Sequence, residues 1–207
     1  MIPIRPSKIV CVGRNYLAHA RELGNEVPAQ PLLFFKPPSA LIEPDAAIIL
    51  PSVSSRVEFE AEIGIVVPRR MRNVSVEQAE AADLGYTCVN DVTARDLQKT
   101  DGQWGRAKGF DTFCPVGPRV VTGLDWRTLE VVCRVDGVER QRGKATDMAF
   151  SIPFLVSYIS EIMTLEPGDL IATGTPAGTG ALESGQVVEV EVPGVGILRN
   201  RVQGDRG

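Results

Sequence analysis

Short apolar or alternating runs, each closed by Gly, Pro or a polar cluster, recur along almost the whole chain, and this repetition constrains the fold more than any other feature. Lys8 to Val12, Leu32 to Phe35, Ile48 to Leu50 and Phe59 to Val67 are the first of them. Gly85 to Asn90, Leu129 to Val135, Asp169 to Thr173, Val187 to Val192 and Gly196 to Val202 follow. All read as strands. The pair Asp136-Gly137, between Val135 and Val138, predicts a two-residue hairpin because both central positions of that turn need positive φ. Pro193-Gly194 predicts a second reversal.

Helical patterns are fewer. Val76 to Asp83 opens with Ser75 and Gln78 at capping-box spacing, and Ile152 to Met163 follows a Ser151 cap with an early Pro153. Shorter helical pieces are expected at Tyr16 to Leu23 and Thr93 to Lys99. Strands outnumber helices without alternating regularly with them, which argues against a doubly wound sheet and for an α+β, predominantly β fold. A chain of 207 residues is expected to form a single domain over residues 1–207. Arg21 to Pro38 carries four prolines and is punctuated as loop around its strand-like run, so a lid is expected at about residues 14–30.

Lys and Arg total 22 against 26 Asp and Glu, with no basic block, so nucleic acid is not an expected partner. Neither a signal peptide nor a bilayer-spanning apolar run is present in the sequence, and a cytoplasmic protein that does not engage membranes is expected. Cys11, Cys88, Cys114 and Cys133 are scattered too widely for a zinc or redox motif and read as reduced, buried small hydrophobes.

Within Phe59 to Val67, Glu60 and Glu62 leave the same strand face, and Glu58 shares their parity. Such a row repels itself unless the face is solvated, as on an edge strand, or a cation lies over it. Asp91 adds a third carboxylate at a strand-to-helix junction. Hard divalent cations take oxygen ligands, and Glu60, Glu62 and Asp91 suit magnesium or manganese. No cationic partner for these three is evident from the sequence. The lone histidine, His19, has Glu22 three residues on, a spacing at which a carboxylate can orient the ring and raise its basicity for water activation. A surface ion pair is the other reading.

Taken together, these segments resemble the fumarylacetoacetate hydrolase family, in its short branch of acylpyruvate hydrolases and oxaloacetate decarboxylases. The resemblance is carried by Gly13-Arg14-Asn15-Tyr16 with His19 and Glu22, Phe35-Lys36-Pro37, Glu60-Ala61-Glu62-Ile63-Gly64 and Asp91-Val92-Thr93-Ala94-Arg95-Asp96-Leu97-Gln98. Lys108-Gly109-Phe110, Ser151-Ile152-Pro153 and Thr173-Gly174-Thr175-Pro176 complete it. It implies a mixed β-roll with a few peripheral helices, commonly homodimeric, acting on a small 2-oxo acid. It places metal ligands at Glu60, Glu62 and Asp91, the lid dyad at His19 and Glu22, and substrate contacts at Arg14, Arg95, Gln98, Lys108 and Thr175. Lys108 is also expected to act in catalysis, neutralising the substrate carboxylate together with Arg95. Because the chain enters the shared motif at Lys8-Ile9-Val10, fumarylacetoacetate itself is not the expected substrate.

The implied reaction is metal-dependent hydrolysis of the carbon–carbon bond of an acylpyruvate such as fumarylpyruvate. Oxaloacetate decarboxylation, or decarboxylation or isomerisation of an unsaturated 2-oxo diacid, would use the same site. A non-catalytic 2-oxo acid binder is the reading from another class, and it would have no need of the base at His19.

Overall fold

The computed structural model describes residues 4, 6–17 and 28–205. Three sheets form its framework. The largest has the order β2 (Leu32–Lys36), β1 (Ile9–Gly13), β12 (Leu170–Ala172), β6 (Ala61–Val66), β7 (Gly85–Asn90), β9 (Cys114–Val121), β3 (Leu41–Ile42). A five-stranded sheet runs β11 (Val138–Lys144), β10 (Glu130–Val135), β14 (Val187–Val192), β15 (Gly196–Gly204), β4 (Ala47–Leu50). A small third sheet joins β13 (Gly180–Ala181), β5 (Val57–Phe59) and β8 (Thr93–Ala94). Parallel pairings (β1 with β12, β3 with β9, β4 with β15) stand among antiparallel ones, which makes the architecture the mixed β-roll that the resemblance implies.

Strand alternation divides the interior in two. Ile63 and Ile65 of β6 and Cys88 of β7 pack in one cluster with Val131 and Cys133 of β10, Val188 and Val190 of β14, and Leu198 of β15, so this cluster binds the two larger sheets together. The opposite face of the large sheet carries Ile9, Cys11, Val66, Val89, Cys114, Leu170 and Ala172 in a second cluster. Burying each Ile of the first cluster contributes roughly 1.5–3 kcal/mol, and both faces of β6 are closed to water as a result. All four cysteines are buried and unpaired, and burial pushes the thiols of Cys88, Cys114 and Cys133 up to about 12.

Local signals decide the connections. Asp136 and Gly137 have φ of 50° and 77°, as the hairpin between β10 and β11 demands. Gly194 has φ of 87° in the turn from β14 to β15. In α1 (Val76–Glu80) the Ser75 hydroxyl accepts from Gln78 N while Gln78 Oε1 accepts from Ser75 N, the reciprocal box read from the spacing. That helix stops three residues short of expectation: Asp83 instead accepts from Gly123 N, and Leu84 turns into the core ahead of β7. The piece expected at Thr93 to Lys99 starts later, as α2 (Arg95–Thr100), because Thr93 and Ala94 pair with β5. A one-turn α3 (Gly105–Lys108) follows. In α4 (Ile152–Ile162) Ser151 occupies the N-cap position without a side-chain capping bond.

Two readings need correction. Phe59 to Val67 is not one strand, since the chain leaves β5 at Phe59, passes through Glu60 and enters β6 at Ala61. Nor is β6 an edge strand with a solvated polar face, because β12 and β7 flank it. Most of the expected helix at Tyr16 to Leu23, most of the lid at 14–30, and both His19 and Glu22 lie outside the described residues. No helix among the described residues is long and apolar enough to cross a membrane.

Candidate active site

The antiparallel pairing of β6 with β7 places Ala61 opposite Asn90, so the residue before one strand and the residue after the other meet at the same end of the sheet. These are Glu60 and Asp91. Asp91 N donates to Glu60 O at 2.8 Å, and Glu60 N donates to Asn90 Oδ1 at 3.0 Å, which fixes the junction. Glu62 lies two residues into the strand pathway from Glu60, and its Oε2 accepts from Gly174 N at 2.7 Å. One oxygen from each of Glu60, Glu62 and Asp91 lies within 4.8 Å of the others, and all three residues are buried. The expected ligands therefore do converge.

Their surroundings are not what the sequence suggested. Asp91 Oδ1 accepts from Lys36 Nζ at 2.5 Å, and Asp91 Oδ2 accepts from Lys108 Nζ at 2.6 Å. Lys108 also donates to Glu60 Oε2 at 2.8 Å. Arg95 donates through Nε to Glu58 Oε2 at 2.7 Å, through Nη2 to Glu60 Oε1 at 2.6 Å and through Nη1 to Gln98 Oε1 at 2.5 Å. Glu58, the third acid of the expected row, is thus bound to Arg95 and Arg56 and takes no place in the triad. The expectation that the triad lacks cationic partners is overturned for Glu60 and Asp91, because Lys36, Arg95 and Lys108 come to them from distant parts of the chain. Among the described residues it holds for Glu62 alone.

Four buried carboxylates (Glu58, Glu60, Glu62, Asp91) meet three buried cations (Lys36, Arg95, Lys108). Burial opposes the charge of Lys108, yet Asp91 and Glu60 hold its ammonium more firmly protonated than an ordinary lysine. Burial likewise opposes the Arg95 charge, and Glu60 and Glu58 outweigh it. Glu62 behaves oppositely. Burial raises its carboxyl well above the usual range and the Asp91 and Glu60 charges raise it further, against the weaker pull of Gly174 N and Lys108. An excess buried carboxylate facing two others is a donor set with the charge and hardness for a divalent cation, so these residues fit magnesium or manganese.

A cavity of about 290 Å³ opens over the triad. Glu60 and Glu62 line its floor, Arg95, Gln98, Lys99 and Lys108 another side, and Val12, Gly13, Arg14, Phe34, Trp104 and Thr175 the rest. Trp104 and Phe34 meet edge to face, with ring centroids 5.2 Å apart at 72°, and Lys108 Nζ lies 4.9 Å from the Phe34 ring centre. All described residues expected to contact substrate (Arg14, Arg95, Gln98, Lys108, Thr175) line this one cavity. Their availability differs. Arg95 donates to Glu58, Glu60 and the Gln98 amide oxygen, and Lys108 donates to Glu60 and Asp91. The Thr175 hydroxyl donates to Ala61 O at 2.8 Å and accepts from Gln141 Nε2 at 2.8 Å. Gln98 keeps its amide NH₂ for a ligand, since only its oxygen is engaged by Arg95.

Sequence reasoning quoted Lys36 only within the motif Phe35-Lys36-Pro37 and gave no site role to it, Gln141, Phe34 or Trp104. A lysine closing the apolar run Leu32 to Phe35 was the available signal for Lys36, which is 1% exposed. Gln141 reaches in from β11 to bond Ala61 N, Thr175 and Pro176, and nothing local to it announces that role.

Residues 8–203 match the family described as fumarylacetoacetate (FAA) hydrolase C-terminal. The structure of 5-carboxymethyl-2-hydroxymuconate delta-isomerase from Mycobacterium smegmatis superposes with a TM-score of 0.92 at 46% identity, over 100% of this chain and 82% of that one. Fumarylpyruvate hydrolase from Pseudomonas aeruginosa, solved in complex with Mn²⁺ and pyruvate, superposes with a TM-score of 0.90 at 32% identity, over 98% of this chain and 91% of that one. The mitochondrial oxaloacetate decarboxylase of Dictyostelium discoideum is 43% identical over 195 residues, 91% of this chain and 89% of that protein.

Proposed function

The chain belongs to the fumarylacetoacetate hydrolase family, and on that premise we propose that it is a divalent-metal-dependent enzyme that breaks the C3–C4 bond of small 2-oxo acids, with hydrolysis of acylpyruvates as its leading reaction. The observation that carries the reading is the buried convergence of Glu60, Glu62 and Asp91, with no cationic partner for Glu62 among the described residues, under a cavity sized for a small acid. Glu60, Glu62 and Asp91 would hold magnesium or manganese, which when bound supplies Lewis-acid stabilisation of negative charge developing on the 2-oxo oxygen.

The chain's own residues do the rest. Lys36, Lys108 and Arg95 hold Asp91 and Glu60 in place through charge-assisted hydrogen bonds, and Gly174 N holds Glu62 in position. Gln98 offers its amide to orient the substrate carboxylate, and Phe34 and Trp104 shield the reacting end from solvent. His19, oriented by Glu22, deprotonates a water that attacks the C4 carbonyl. The C3–C4 bond then breaks, its electron pair passes to the pyruvate portion, and a proton returns to C3. The reading includes a homodimeric, cytoplasmic enzyme.

A second reading is oxaloacetate decarboxylation, and the 43% identity to the Dictyostelium decarboxylase favours it. It breaks the corresponding C3–C4 bond and releases the same three-carbon acid, but needs no attacking water. The deciding experiment is turnover of acetylpyruvate, fumarylpyruvate and oxaloacetate with and without chelator. Chelator-sensitive turnover of the acylpyruvates supports the first reading, oxaloacetate alone supports the second, and turnover indifferent to chelator refutes both.

A further inference from the structure

We propose that Gln141 is a positioning residue for the metal centre, acting on Glu62 through the loop that follows β12. The proposal rests on the metal reading above and adds to it a residue from the five-stranded sheet. Gln141 is buried, and its amide makes three bonds to two separate parts of the site. Its Oε1 accepts from Ala61 N at 3.0 Å, and its Nε2 donates to Thr175 Oγ1 at 2.8 Å and to Pro176 O at 2.7 Å. Ala61 N can only donate and Pro176 O can only accept, so the amide has one orientation and its second N–H falls to Thr175. The Thr175 hydroxyl passes its own proton to Ala61 O at 2.8 Å. One side chain therefore ties the residue between Glu60 and Glu62 to the loop whose Gly174 N donates to Glu62 Oε2.

The backbone of β11 is shaped to deliver this amide. Across the ladder Val135 opposes Val138, Arg134 opposes Glu139 and Cys133 opposes Gln141, which leaves Arg140 as the extra residue of a bulge. Opposed residues share a face, so without the bulge Arg140 would stand opposite Cys133 and point inward with it. Instead Arg140 is exposed and Gln141 is buried. The loop lies flush against β11 on either side of Gln141. A Cβ on Gly178 would stand 2.1 Å from Arg140 O, and one on Gly143 would stand 2.7 Å from Pro176 Cβ. The near end of the loop is anchored on β6, where Thr173 N and Oγ1 both donate to Ile63 O. The far anchor is Thr175 on Ala61, and Gln141 fixes it by bonding both residues. Gly174 stands between the two anchors with φ of 100°, free to swing if either is released.

The test follows two quantities in Gln141→Met: hydrogen exchange of the Gly174 amide by nuclear magnetic resonance in the metal-free protein, and magnesium and manganese binding by calorimetry. Ser160→Ala is the control, because Ser160 is buried, accepts from Val74 N, donates to Ser157 O and does not line the cavity. Gln141→Met is expected to lose protection at Gly174 and to bind both ions about tenfold more weakly, the lower end of the range for a residue that orients a ligand from behind. Ser160→Ala is expected to melt earlier with both quantities unchanged. Gln141→Asn keeps the amide but is one methylene too short to span both parts, and it should show the same loss at Gly174 should Gln141→Met fail to fold. A protected Gly174 amide and wild-type metal affinity in a folded Gln141 variant overturn the proposal, as do equal losses of affinity in Ser160→Ala. A wild type that binds neither ion is a different pattern and refutes the metal reading itself.

Discussion

Lys108 Nζ lies 2.6 Å from Asp91 Oδ2, and neither side chain reaches solvent. The same ammonium bonds Glu60, so two of the three proposed metal ligands share this lysine, beside Lys36 on Asp91 and Arg95 on Glu60. Lys108→Met should lower the stability of the metal-free protein by about 3–5 kcal/mol, the usual result of removing one partner from a buried pair. It should also tighten magnesium and manganese binding by on the order of tenfold or more, because a positive charge beside the ion is gone. Thermal melting and calorimetric titration read the two effects. A variant with unchanged melting and weaker metal binding would contradict the arrangement.

Replacing the ligands one at a time should not give three equal outcomes. Asp91→Asn leaves Lys36 without its carboxylate and Lys108 with Glu60 alone, and should destabilise the fold by about 3–5 kcal/mol even without metal. Glu62→Gln removes a repelling charge that has no cationic partner among the described residues, so the metal-free protein should be as stable as the wild type or more so. Both variants should bind metal more weakly than the wild type. Denaturant melts of the metal-free proteins separate them, and equal destabilisation would show that Glu62 is compensated after all.

Metal affinity should weaken as pH falls, and Glu62 should be the group responsible. Its carboxyl is raised by burial and by Asp91 and Glu60, so in the folded protein it takes up a proton at a pH where an unfolded glutamate is still ionised. Proton uptake favours the fold. The stability Glu62 contributes to the metal-free protein is therefore complete below the ordinary glutamate pKa and is lost as pH rises through its raised value. A divalent ion must displace that proton, which gives roughly a tenfold loss of affinity per pH unit below the raised value. Titrations across pH should show this slope in the wild type and not in Glu62→Gln.

Gly174→Ala should damage the site from outside it. Gly174 has φ of 100°, and a Cβ there would stand 2.8 Å from Asn15 Cβ and 3.1 Å from Val12 O. The backbone must shift, and the N–H that holds Glu62 shifts with it. Lower thermal stability together with weaker metal binding is the expected pair of changes. Wild-type metal affinity in a folded Gly174→Ala protein would argue against any role for this N–H.

His19→Ala should slow acylpyruvate hydrolysis by about a hundredfold to ten-thousandfold, the usual worth of general-base assistance, and oxaloacetate decarboxylation much less. Measuring both rates on one variant controls for general damage to the site. Equal losses would remove His19 as the water-activating base.

The strand and hairpin pattern was legible because it is local: alternation along β14, the positive-φ pair Asp136-Gly137 and the box at Ser75 and Gln78 each depend on neighbours within a few residues. Where a boundary moved, a long-range partner moved it, as when Thr93 and Ala94 left the expected helix to pair with β5. Motif spacing also identified Glu60, Glu62 and Asp91, since strand parity and a strand end place carboxylates without reference to the rest of the fold.

What the sequence determined by itself, then, was the strand-rich α+β class, the two main helices and three carboxylates suited to a hard cation. Tertiary structure alone decided which charges meet. Lys36 reaches Asp91 across 55 residues of chain, Arg95 reaches Glu60 across 35, and neither pairing leaves a periodic trace. The physical reason is that periodicity reports which side of a strand a residue faces, whereas charge compensation depends on which other strand arrives there, and β1, β2, β6, β7 and β12 come together from separate stretches of the sequence. Hence Glu62, which has no cationic partner among the described residues, could be recognised as such only once the lysines and arginines of the site had been placed.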